Sequence, residues 1–124
     1  MRVIINNTNI TNYIVEGSYN MNAVDSSESW EDGNFVEHRI IVTKKVSGEF
    51  DVVCSNRANS INLAAFLTLW RNADNNGVVT IDVYVLNEDV NKTIDAYYSI
   101  TSKSHNRAGD GSMIDVLTVK IKER

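Results

Sequence analysis

The residues whose types could do chemistry in this 124-residue chain are two histidines, His38 and His105, one cysteine, Cys54, and the carboxylates Asp25, Glu28, Glu31 and Asp32 around Trp30. Nucleophilic catalysis needs a Ser, Thr or Cys beside a base. His38 falls in an apolar alternating row, where a satisfied or interfacial imidazole is the expected reading, and His105 falls in a polar loop tip. No Gly-x-Ser-x-Gly elbow or phosphate-cradling glycine loop accompanies them. A hydrolase or transferase therefore lacks parts: the sequence predicts no enzyme, no catalytic residue and no cofactor.

The carboxylate crowd admits two chemistries. General acid–base work needs one carboxyl raised by burial, which a flexible acidic loop opposes. Calcium suits hard oxygen ligands, but the spacing does not match a helix-loop-helix calcium site, so no metal centre is expected. The 25–34 stretch reads instead as a solvated or subunit-contacting loop, with Trp30 as its anchor because an indole is a frequent hot spot at interfaces. Cys54 sits in an alternating apolar row with no cation nearby, and a buried inert thiol is expected.

The elements that position these residues follow from periodicity. Val3–Ile5 predicts a short strand closed by an Asn/Thr turn. Odd positions from Tyr13 to Ala23 alternate with polar ones, predicting a half-buried strand with a bend or bulge at Gly17. After the acidic loop, even positions from Val36 to Cys54 are apolar, with Lys44-Lys45 and Gly48 near the middle. That pattern predicts a strand, a bend or hairpin, and a second strand, long enough for a projecting arm. Asn59 or Ser60 caps a helix that places Leu63, Phe66, Leu67 and Trp70 on one face as the centre of the core, and Gly77 supplies its left-handed end. Alternation then predicts strands at 79–85, 94–100 and 113–121, the last two joined by a polar tip over 102–112. The whole is expected to be one domain, 1–124, mainly β: a two-sheet sandwich or flattened barrel of about seven strands with one α-helix.

A formal net charge of −4 with scattered Lys and Arg argues against sequence-specific nucleic-acid binding. The first residues lack a signal-peptide core, and no run approaches a membrane-spanning length. Cytosolic synthesis and no membrane association are the expectations. Three Asn-x-Thr triplets, at Asn6, Asn9 and Asn91, read as chance in an Asn-rich chain.

Three stretches carry a family resemblance: Glu37-His38-Arg39-Ile40-Ile41 with Lys44-Lys45, the Leu- and Phe-rich helix Leu63 to Trp70, and the ending Leu117-Thr118-Val119-Lys120-Ile121-Lys122-Glu123-Arg124. Together they resemble short proteins encoded among tail and baseplate genes of phages and prophages of Gram-positive bacteria. The lack of proline and the long acidic stretch before Phe35 depart from that pattern. The resemblance implies a tail-tube-like fold and a structural virion protein, a tail tube or baseplate/tail adaptor subunit. It further implies self-assembly into a homo-oligomeric, hexameric ring among other tail proteins, through which DNA passes without being bound. Trp30, Glu31, Asp32, Lys44, Lys45, His105 and Arg107 are the expected subunit-interface residues. The alternative is a carbohydrate- or protein-binding β-sandwich module built on Trp30, Tyr13, Tyr19, Tyr84, Tyr97 and Tyr98, already weakened because alternation points Tyr97 and Tyr98 in opposite directions.

Overall fold

From Glu37 to Cys54 the alternating row forms one uninterrupted strand. In the computed structural model this is β4 (Glu37–Ser55), and it follows β1 (Ile4–Ile5), β2 (Thr8–Asn9) and β3 (Asn20–Glu31). Helix α1 (Leu63–Ala73), β5 (Val78–Val85), β6 (Val90–Arg107) and β7 (Met113–Glu123) complete the chain. The structure describes the backbone of residues 1–31, 37–107, 109 and 111–124, and side chains over that range apart from 25–31 and 37–43. All seven strands join one antiparallel sheet in the order β2-β1-β5-β6-β7-β4-β3, and 58% of the chain is strand.

That sheet is coiled. Between β5 and β3 stand β6, β7 and β4, so in a flat sheet the two would lie about 19 Å apart at the usual spacing. Yet Leu86 N, just past β5, donates to Met21 O of β3 at 2.9 Å. Asn87 adds a clasp, its Oδ1 accepting from Ala23 N at 2.8 Å and its Nδ2 donating to Ala23 O at 2.7 Å. Only a sheet curled on itself brings these groups together. The clasp replaces a ladder, so the sheet is not closed; one open curl stands where two sheets or a flattened barrel were expected.

Inside the curl, Val46, Phe50, Val52 and Cys54 of β4 meet Val79, Ile81, Val83 and Val85 of β5, Ala96 of β6, and Leu117, Val119 and Ile121 of β7. Helix α1 covers this interior with Phe66 and Trp70, its two buried residues. Leu63 and Leu67 are half-buried, so the helix lids the core and does not form its centre. Trp70 is 1% exposed, and its Nε1 is a buried donor with no acceptor among the described residues. Asn62, not Asn59 or Ser60, caps α1 by accepting from Ala65 N at 2.7 Å. The helix stops at Asp74, whose Oδ1 accepts from Gly77 N at 2.7 Å. Gly77 thus belongs to the turn bridging Asn75 and Val78, and does not terminate the helix.

Other expectations change as well. Residues 13–19 do not form a strand: Thr11–Tyr13 is a 3-10 turn, Ile14 makes one bridge to Val52, and the chain turns at Gly17 with φ +81°. Asn6 and Asn7, at φ 49° and 61°, form the tight β1–β2 hairpin. No hairpin breaks β4 at Lys44-Lys45; a β-bulge absorbs the irregularity, the register slipping between Val24 and Ser26 of β3. Most of the expected loop 25–34 is strand backbone as far as Glu31, and most of the expected tip 102–112 is strand as far as Arg107.

Candidate functional site

The β3–β4 hairpin outruns the rest of the sheet at one end, and β6 keeps a bare edge at the other. β4 pairs β7 from Ser47–Lys122 to Ser55–Ile114, and β7 ends at Glu123. Before Ser47, β4 is paired to β3 alone among the described residues, as far as the Glu31–Glu37 pair. From Val24 to Glu31 this two-stranded ribbon extends roughly 25 Å at strand rise. Past the other end of β5, β6 runs on from Tyr98 to Arg107 with only β7 beside it among the described residues. Such unpaired edges present rows of free N–H and C=O groups.

On the β6–β7 hairpin, Lys103 is the extra residue of a bulge between Ser102 and Ser104. Its Nζ donates to Asp51 Oδ2 at 2.8 Å, and Thr118 Oγ1 donates to Asp51 Oδ1 at 2.8 Å. These hydrogen bonds, that from Lys103 foremost, hold the Asp51 carboxyl below its ordinary pKa and raise the Lys103 amine. The same bulge shifts the register by one, so that His105 faces Asp115 and their side chains bond through Nδ1 and Oδ1. Asp115 is 6% exposed. With Ser55, Asn56, Asn62, Leu63, Ala64 and Met113 this pair lines a hollow of about 430 Å³ at the N-terminal end of α1. The thiol of Cys54, buried and near the Asp115 charge, is pushed up to about 11, which disfavours the thiolate a nucleophile would need.

At the other end of α1 a second groove, about 400 Å³, is lined by Leu67, Trp70, Arg71, Asp74, Gly77, Tyr98, Ser99 and Ile100. Tyr98 stacks on Trp70 with ring centroids 5.2 Å apart and donates its hydroxyl to Asp74. No family model, curated protein or solved structure matches the chain.

The residues expected at an interface divide among these features. Lys44 and Lys45 lie at the root of the β3–β4 arm, Lys44 exposed and Lys45 half-buried. His105 and Arg107 lie on the opposite hairpin, both exposed and both in strand where a loop was expected. Trp30 and Glu31 occupy the last two positions of β3, opposite His38 and Glu37, with side chains outside the described set. Asp32 lies outside the described residues. His105 and Arg107 thus lie toward the end of the sheet opposite to residues 25–31. Sequence reasoning missed the Asp51–Lys103–Thr118 cluster and the Trp70–Tyr98 groove; of these only the strand alternation of Tyr98 and Ile100 toward the helix carried any signal.

The tyrosines, whose side chains are among those described, do not converge on a platform, and the Trp30 side chain lies outside the described set. Tyr19 stacks on Phe50 at 5.8 Å and donates to Tyr84 O at 2.5 Å; burial pushes its phenol up to about 12. Tyr98 faces the helix, Tyr97 is 51% exposed, and Tyr84 bonds through its hydroxyl to Asp89. Among the described residues no group of three His, Cys, Asp or Glu side chains is placed to hold a metal ion.

Proposed function

We propose that this protein is a structural subunit of a phage tail, a tail tube or baseplate/tail adaptor component with a tail-tube-like fold, working by self-assembly into a ring in the virion. The observation that carries this reading is the β3–β4 ribbon, which leaves the body of the sheet where β7 ends and has no third strand beside it among the described residues. A bare two-stranded ribbon is marginal in water. Pairing its edges with sibling copies would satisfy its backbone and bury its length, the logic of β-augmentation. The resemblance of the Glu37 to Lys45 strand, the helix and the closing strand to tail and baseplate proteins supports the same reading. The residues assigned to this work are edges and arms, and DNA would pass through the assembly unbound.

Light scattering on the purified protein, followed by negative-stain microscopy, tests it. The full chain is expected to assemble with rising concentration into closed rings. A variant with residues 25–44 replaced by an Asn-Gly turn between Val24 and Lys45, which pair in the sheet, is expected to keep its melting transition and remain monomeric. A full-length chain that stays monomeric at every concentration overturns the proposal.

A further inference from the structure

One chemically reactive pair plays no part in the arm. Asn76-Gly77, in the turn between α1 and β5, is the one place in the sequence where asparagine precedes glycine. An asparagine carboxamide is open to attack by the backbone nitrogen of the next residue, and glycine obstructs that approach least because it has no Cβ. Both residues are exposed, so water reaches them. The Asn76 side chain makes no hydrogen bond among the described residues.

The backbone is part-way to the reactive shape. Asn76 and Gly77 have φ 57° and 86°. Around them Asn75 N donates to Val78 O at 2.8 Å, and Val78 N donates to Asn75 O at 3.2 Å. Two left-handed residues at the tip of a two-residue hairpin make a type I′ turn, whose first central ψ is about +30°. Closing a five-membered ring from Gly77 N to Asn76 Cγ requires that nitrogen to eclipse Cβ about the Cα–C bond. For an L residue this is a ψ of about −120°, the value at the first central position of a type II′ turn, which keeps the same positive φ. Asn76 is therefore one peptide flip from ring closure. Gly77, with nothing within 4 Å of where a Cβ would stand, follows that flip at little cost.

One hydrogen bond opposes the flip. Gly77 N donates to Asp74 Oδ1 at 2.7 Å, which fixes the orientation of the Asn76–Gly77 peptide unit and occupies the proton the nitrogen must lose. Asp74 is anchored in turn: Tyr98 donates its hydroxyl to Oδ2 and stacks on the buried Trp70. These bonds, that from Tyr98 foremost, hold the Asp74 carboxyl below its ordinary pKa, so the acceptor stays charged.

We infer that Asn76 is a self-modification site latched by Asp74, deamidating through a cyclic imide whenever the Asp74–Gly77 bond opens. Gly77 N gives up its proton to solvent and bonds to Asn76 Cγ; the Cγ–Nδ2 bond breaks, and ammonia leaves with a proton taken back from solvent. Water then splits the ring. Opening at Cγ leaves aspartate, and opening at the backbone carbonyl leaves isoaspartate, whose main chain is one carbon longer. Either product adds a negative charge beside the groove that Asp74 and Gly77 line, and the longer chain of isoaspartate no longer fits the Asn75–Val78 pairing.

The full chain, incubated in mildly alkaline buffer, tests this. Peptide mapping by mass spectrometry locates amide loss, and enzymatic methylation counts isoaspartate. Unfolded in urea, the chain is expected to lose ammonia fastest at Asn76, and the folded parent at least about fivefold more slowly, the factor expected of one net hydrogen bond. Folded D74A is expected to react about fivefold faster than the folded parent, at a rate flat in low urea because the opening is local. Gly77 amide exchange should rise with it, and D74N, which keeps an acceptor oxygen, should stay near the parent. Amide loss at other positions but not at Asn76 in the unfolded chain overturns the site. A folded parent as fast as the unfolded chain, a D74A rate at or below the parent's, or a D74A rate that climbs with urea in step with global unfolding overturns the latch.

Discussion

Replacing Gly48 with alanine tests the packing on which the arm depends. Gly48 lies in register with Met21 of β3 on one side and Ile121 of β7 on the other. A Cβ built there would stand 1.9 Å from the Asn20 carbonyl oxygen and 2.7 Å from Met21 Cα. Both neighbours are backbone, so no rotamer change relieves the clash, and β3 has to retreat by more than an ångström. That retreat loosens Met21, which is fully buried and accepts the Leu86 hydrogen bond of the clasp. Overpacking costs about 1–3 kcal/mol, and a backbone obstacle places this site near the upper end. Against that stands about 0.5–1 kcal/mol gained because alanine loses less chain entropy than glycine. The net loss is about 2 kcal/mol, or roughly 8 °C in melting temperature for a chain of this size. Calorimetry and urea titration of Gly48→Ala measure it. Gly17→Ala is the comparison: at φ +81° with nothing within 4 Å, it carries only left-handed strain of about 1 kcal/mol. Should Gly48→Ala melt as high as Gly17→Ala or higher, β3 does not rest on Gly48 as described.

Two further outcomes follow from the same packing. Trp70→Ala should lose about 3–5 kcal/mol by emptying the space against Phe66 and Tyr98, whereas Trp70→Phe should lose far less, because Nε1 has no acceptor to forfeit; equal losses in chemical denaturation would contradict that. Asp51 titrates below its ordinary value in the fold, so its contribution is complete above the unfolded pKa and is lost as pH falls through the folded one. Lys103→Met should raise the Asp51 pKa toward normal in an NMR titration and change stability little, because Lys103 is exposed; an Asp51 titration unmoved by the change refutes the pairing.

Where a strand had a core beneath one face, the sequence announced it. β5 and β7 alternate buried and exposed residues as their hydrophobicity does, and Phe66 and Trp70 are read directly from helical spacing. Residues 25–31 and 102–107 read as loops for a physical reason: period-two alternation reports one face leaving water, and 102–107 lies on a bare edge of β6 exposed everywhere but Ser104, while 25–31 holds no alternating apolar row. Backbone hydrogen bonding is the same with or without that signal. The pairing of His105 with Asp115 was hidden too, since it depends on Lys103 being a bulge residue, a slip of register that composition does not encode. At 13–19 the opposite error arose, alternation without a ladder, because the turn at Gly17 leaves Ile14 and Val15 only a bridge and one hydrogen bond onto β4.

β4 belongs to both the arm and the body, and that continuity has a mechanical meaning. Its bonds to β7 run across the strand direction, as in any antiparallel ladder. A pull delivered along the arm therefore loads every rung from Ser47–Lys122 to Ser55–Ile114 together, in shear, and cannot peel them open one after another. Rupture then requires the whole set to slip at once, so resistance to tension is governed by how slowly the subunit unfolds and not by its equilibrium stability.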